Sequence, residues 1–218
     1  MKKNLTELVF ILDRSGSMAG LESDTVGGFN SMLERQRNGE GEALVSTVLF
    51  ANTSEVIHDR ADIKTVRPMT PVDYQVGGCT ALWDAVGKAV KHIGNVHKYA
   101  RPEDVPEKTL FVITTDGMEN ASREYSAEKL KALIERQKSR YGWEFIFLGA
   151  NIDAVETARG IGIDRDHAAD YHCDKIGTRV NFEAVGDAVC AARCSRPIGA
   201  GWKKNIEKDF SGRKPAVK

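Results

Sequence analysis

The sequence predicts an α/β fold: a doubly wound, Rossmann-like, mostly parallel sheet with helices on both faces and one short antiparallel edge strand. Three observations predict it. Four short runs are apolar throughout rather than alternating, namely "LVFIL" (8–12), "LVSTVLF" (44–50), "LFVIT" (110–114) and "EFIFLG" (144–149). Strands buried on both faces read this way. Helical periodicity fills the gaps between them, and strand–helix–strand order implies right-handed crossovers within one sheet. At 218 residues, the chain is long enough for one such domain with an appendage.

The first strand stops at Asp13, and Val26, Phe29 and Leu33 then recur at helical spacing. After the strand at 44–50, "SEVIHD" (54–59) is shorter and more polar, which suits an edge strand with His58 at the surface. Leu82, Val86, Ala89 and Ile93 mark a second helix, with Thr80 placed to cap it. "KYARPEDVPEK" (98–108) is a loop punctuated by two prolines. Leu130, Leu133 and Ile134 mark a third helix, opening at Ser126. Asp153, with Glu156 three residues on, reads as a capping-box variant. "AADYH" (168–172) adds a short strand, and Phe182, Val185, Val189 and Ala192 mark a final helix over about 178–193. One domain is expected over 1–195. Beyond it, Lys203, Lys204, Lys208, Arg213, Lys214 and Lys218 surround Trp202 and Phe210 without an apolar stripe, so 196–218 reads as a basic, solvated tail.

Lysine plus arginine (31) balance aspartate plus glutamate (31), so overall charge points to neither a nucleic-acid nor a membrane partner. The apolar run behind "MKKNLTEL" is too short for a secretory signal, and nothing approaches the roughly 18 apolar residues of a membrane span. The cytoplasm is the expected location. Cys79, Cys173, Cys190 and Cys194 include no CxxC pair and read as free thiols in a reducing compartment.

In an open doubly wound sheet, ligands bind beyond the carboxyl ends of the strands. "DRSGS" puts Asp13, Ser15 and Ser17 at one such end, and "TTDG" puts Asp116 at another. Thr80, after "VGGC", stands in a loop before a helix. These five side chains offer only oxygens, which suits a hard cation such as magnesium, with manganese as the alternative.

"DRSGS" has the DxSxS form of the von Willebrand factor A domain, "GGCTAL" resembles its threonine loop and "TTDG" its second aspartate, in the family's order over roughly 5–165. The resemblance implies a metal-ion-dependent adhesion site, the MIDAS. Ser15 and Ser17 would ligate directly, Thr80 directly or through water, and Asp13 and Asp116 largely through water. A partner protein's Asp or Glu would complete the shell. Arg14, Met18, Gly78, Cys79, Gly117 and Glu119 would form the rim that meets this partner, with Cys79 as a small space-filling residue. The resemblance further implies a non-enzymatic adaptor, expected as a monomer, whose final helix moves in some relatives. The alternative is a magnesium-dependent phosphohydrolase of haloacid-dehalogenase type with Asp13 as nucleophile. Such enzymes need a general acid two residues on, where this chain has Ser15, and a hydroxyl has no proton to give near neutral pH.

Overall fold

Successive side chains of a strand point to opposite faces, and β1 (Lys2–Asp13) buries both. Leu8, Phe10 and Leu12 enter one apolar cluster, and Val9 and Ile11 enter the other. The computed structural model describes residues 1–213; Lys214 and Lys218 of the expected tail lie outside the described residues. β2 (Glu42–Phe50), β3 (Ser54–Asp62), β4 (Pro106–Thr115), β5 (Glu144–Gly149) and β6 (Ala168–Asp170) complete a six-stranded sheet of order β3-β2-β1-β4-β5-β6. Among the described residues only the β2–β3 pair is antiparallel.

The first cluster packs the sheet against α1 (Glu22–Arg37) and α5 (Lys175–Arg193). There Phe10 and Phe29 meet edge to face at 5.3 Å, an arrangement worth about 0.5–1.5 kcal/mol beyond burial. The second cluster packs it against α2 (Leu82–Tyr99), α3 (Ala127–Tyr141) and α4 (Ala154–Gly160). Buried Arg193 of α5 donates to the carbonyls of Gln36, Gly39 and Gly41 at the end of α1, placing a cation where the helix dipole favours one. Ser126 and Asp153 cap α3 and α4 as the sequence predicts.

Three expectations need correction. His58 is buried rather than surface-exposed: the β2–β3 register shifts on both sides of the Thr47–His58 pair, and the ring turns inward to place Nδ1 3.0 Å from Thr47 Oγ1. Burial, then the Arg67 charge, hold its imidazole below the usual histidine range. Thr80 does not cap α2, whose N-cap is Ala81. The first amides of α2 are satisfied across space: Trp83 N–H donates to Glu119 (2.8 Å) and Asp84 N–H to Ser122 (3.0 Å). Finally, the stretch after Pro197 is not an unpacked tail. It forms α6 (Lys204–Gly212), which buries Ile206 in the first cluster, while Lys203 Nζ donates to the carbonyls of Arg165 (2.8 Å) and Ala168 (2.9 Å).

Among the described residues, no helix is long and apolar enough to cross a membrane.

Candidate metal centre

β1 and β4 are neighbouring parallel strands, so Asp13 and Asp116 leave the sheet side by side at its carboxyl edge. Asp13, Ser15, Thr80 and Asp116 are all buried, at 1–3% exposure, while Ser17 reaches the surface. The Ser15 N–H donates to Asp13 Oδ1 at 2.7 Å, and the Thr115 hydroxyl donates to Oδ2 at 2.6 Å. The phenol of buried Tyr74 donates to the Asp13 carbonyl. Ser15 and Ser17 hydroxyls stand 3.1 Å apart, and Ser17 Oγ donates to Asp116 Oδ1 at 2.5 Å. The other Asp116 oxygen accepts from the Cys173 thiol at 3.3 Å, and the Asp116 carbonyl accepts from Asn151 Nδ2 at 3.2 Å.

The third segment is held as firmly. Thr80 N–H donates to Asn120 Oδ1 (2.9 Å), and Asn120 N–H returns a bond to the Thr80 carbonyl (3.1 Å). Gly78, at φ +83°, is in the left-handed region that favours glycine, and an added Cβ would collide with the Asn52 amide oxygen. Its carbonyl receives the Gly16 N–H at 3.0 Å, which ties the threonine loop to the "DRSGS" loop. A Cβ added at Gly117 would stand 3.3 Å from Thr80 Oγ1 and 3.5 Å from Ser17 Oγ. The bare backbone there leaves both hydroxyls facing a common space.

This arrangement fits a hard cation. Burial raises the Asp13 carboxyl above the usual range, bonds from Ser15 and Thr115 partly offset that, and the Asp116 charge adds to the rise. Among the described residues neither Asp13 nor Asp116 makes an ion pair; Arg14, the nearest cation in sequence, turns to Glu55 (2.8 Å) and the Asp73 carbonyl (3.1 Å). Two adjacent buried carboxylates without a counter-charge are costly, and a divalent ion would relieve both. No three His, Cys, Asp or Glu among the described residues cluster as a ligand set, so an ion here must draw on the hydroxyls.

The rim differs from expectation at two positions, and Cys79 differs in its expected packing role. Met18 is buried in the first cluster and offers a partner nothing. Glu119 is committed: its carboxylate accepts from the N–H groups of Trp83, Ala121 and Ser122 and from the Ser122 hydroxyl, all within 2.7–2.9 Å. Cys79 fills no space; it is exposed, and its N–H donates to Asn52 Oδ1 at 2.7 Å. Sequence reasoning missed Thr115, Tyr74 and Cys173. Thr115 adjoins the recognised "TTDG", but Tyr74 and Cys173 reach the site only through the fold, and no local pattern marks them.

The sheet order and the helices on both faces are those of the von Willebrand factor A fold. The chain resembles a von Willebrand factor type A protein from Catenulispora acidiphila (TM-score 0.58, 14% identity, 85% of this chain and 42% of that one). It also resembles the mussel-byssus proximal thread matrix protein 1 solved with a zinc-occupied MIDAS motif (TM-score 0.58, 16% identity, 85% and 46%). A third is the pilus adhesin SpaC of Lactobacillus rhamnosus GG in its open conformation (TM-score 0.65, 11% identity, 87% and 30%). The chain spans less than half the length of each of these proteins. No protein-family model matches the sequence, and no curated protein does.

Proposed function

We propose that this chain is a non-enzymatic interaction module that grips an acidic side chain of a partner protein through a divalent cation, magnesium or manganese. Asp13, Ser15, Ser17, Thr80 and Asp116 would hold the ion. The observation that carries the reading is the convergence, from three separate segments, of three hydroxyls and two buried carboxylates that have no counter-charge among the described residues. The zinc-occupied MIDAS of the mussel protein supports a divalent ion on this fold.

The bound ion would supply an incompletely neutralised positive centre, because hydroxyl and water ligands cancel less charge than carboxylates do. The chain's own residues set that balance. Asp13 is buried and already engaged by Ser15 and Thr115, so its charge acts from beneath. Ser17 is the exposed member, so an incoming carboxylate meets the site on its side. Arg14, Gly78, Cys79 and Gly117 remain as the rim.

The phosphohydrolase alternative finds no support. A nucleophilic Asp13 would need an open path to phosphorus, yet it is 2% exposed with both carboxylate oxygens engaged. The test is calorimetric titration of magnesium and manganese into chelator-stripped protein, wild type beside Asp116→Ala. The expected result is one-to-one binding lost in the variant, followed by cation-dependent capture of an acidic partner peptide. Equal binding by both proteins would sink the assignment.

A further inference from the structure

Directly beneath the candidate centre lies a second polar feature that the interaction reading does not use. A cavity of about 10 Å3 is lined by Asp13, Thr25, Thr178 and Asn181 among others. Thr25 belongs to α1, Thr178 and Asn181 to α5, and Asp13 to the end of β1. Thr178 Oγ1 and Asn181 Oδ1 are buried and have no hydrogen-bond partner among the described residues, while the buried Thr25 hydroxyl lies within reach of the Tyr74 phenol. The three side chains are only 1–4% exposed.

Buried polar atoms are rarely left unpaired, because each one costs its full desolvation. Two such atoms of α5, lining one cavity together with the Thr25 hydroxyl of α1, point to a common ligand. The volume fits one water molecule, and an internal water needs two to four polar partners. Two hydroxyls, which can donate or accept, and one amide oxygen, which accepts, match a water that donates and accepts in turn. We propose that this cavity is a resident water site, held by Thr25, Thr178 and Asn181, which links α1 and α5 at the base of the metal loop. The seam between the two helices is then closed at this level by exchangeable hydrogen bonds.

The test uses the full chain without added metal. Water-to-protein nuclear Overhauser effects should place one long-lived water beside Thr178 and Asn181, and Thr178→Val should abolish that signal. Stability supplies an independent arm. If a water is held, valine breaks its hydrogen bonds and the melting temperature falls, whereas Thr178→Ser keeps both the hydroxyl and the signal. If the cavity is dry, the Thr178 hydroxyl is an unpaired buried group, and the near-isosteric valine should raise the melting temperature. A wild type without the water signal, or a valine variant that melts higher, would overturn the proposal.

Discussion

At the scale of single residues, Asp13 is the side chain on which fold stability and binding pull in opposite directions. Its carboxyl is raised above the ordinary range by burial, and the Asp116 charge adds to the rise. A raised acid binds more protons in the folded than in the unfolded state. Its penalty is therefore fully present above the raised value and is relieved as pH falls through it toward 3.8. Asp13→Asn should accordingly stabilise the chelator-treated protein at neutral pH. Asn Oδ1 can accept from the Ser15 N–H and Nδ2 can face Thr115, whose hydroxyl has the Gly117 carbonyl 3.2 Å away. Urea denaturation from pH 4 to 8 should show the variant's advantage growing with pH and then levelling off, while cation binding is lost; a variant less stable at pH 7 would refute the argument. The five oxygen-bearing residues were legible because their chemistry is local to "DRSGS", "GGCT" and "TTDG". Met18 and Glu119 were misread as rim, and Cys79 as space-filling, because adjacency in sequence does not fix where a side chain turns.

At the scale of elements, continuous apolar runs placed the strands because burial on both faces leaves no polar alternation to misread. Caps were harder. Ser126 and Asp153 cap their own helices and are visible locally, but α2 borrows Glu119 from a loop over thirty residues away. The hardest element was α6, although Trp202, Ile206 and Phe210 fall four apart. A stripe of one apolar residue per turn among lysines resembles a solvated segment, and only docking against α5 and β6 gives it a buried face. Ile206 is 1% exposed, and large-to-small changes at such sites cost roughly 2–5 kcal/mol through lost burial and cavity formation. Ile206→Ala should thus lower the urea midpoint substantially, while the exposed Lys208→Ala should shift stability by about 0.5 kcal/mol or less. Equal, small effects at both positions would mean that the 200–213 segment contributes nothing to the fold.

At the scale of the whole molecule, a formal net charge of zero hides an uneven distribution, since two uncompensated carboxylates sit under one edge of the sheet. Any ion that joins them does so only in the folded chain, because Asp13 and Asp116 are brought together by the β1–β4 pairing and Thr80 joins them through loop contacts with Gly16 and Asn120. Linkage then requires that the ion stabilise the fold, by about 2.7 kcal/mol at a hundredfold excess over its dissociation constant. For a chain of this size each kcal/mol moves the melting temperature by roughly 2–4 °C, so saturating magnesium should raise it by about 5–11 °C. Diffuse screening of surface charge would also respond to added salt, but it depends on ionic strength rather than on the ion's identity. Potassium chloride at matched ionic strength should therefore leave the wild type nearly unchanged, and Asp116→Ala should be flat toward magnesium. A rise of the same size with both salts, or one that persists in Asp116→Ala, would place the stabilisation on the surface and leave the strand-end cluster without an ion to hold.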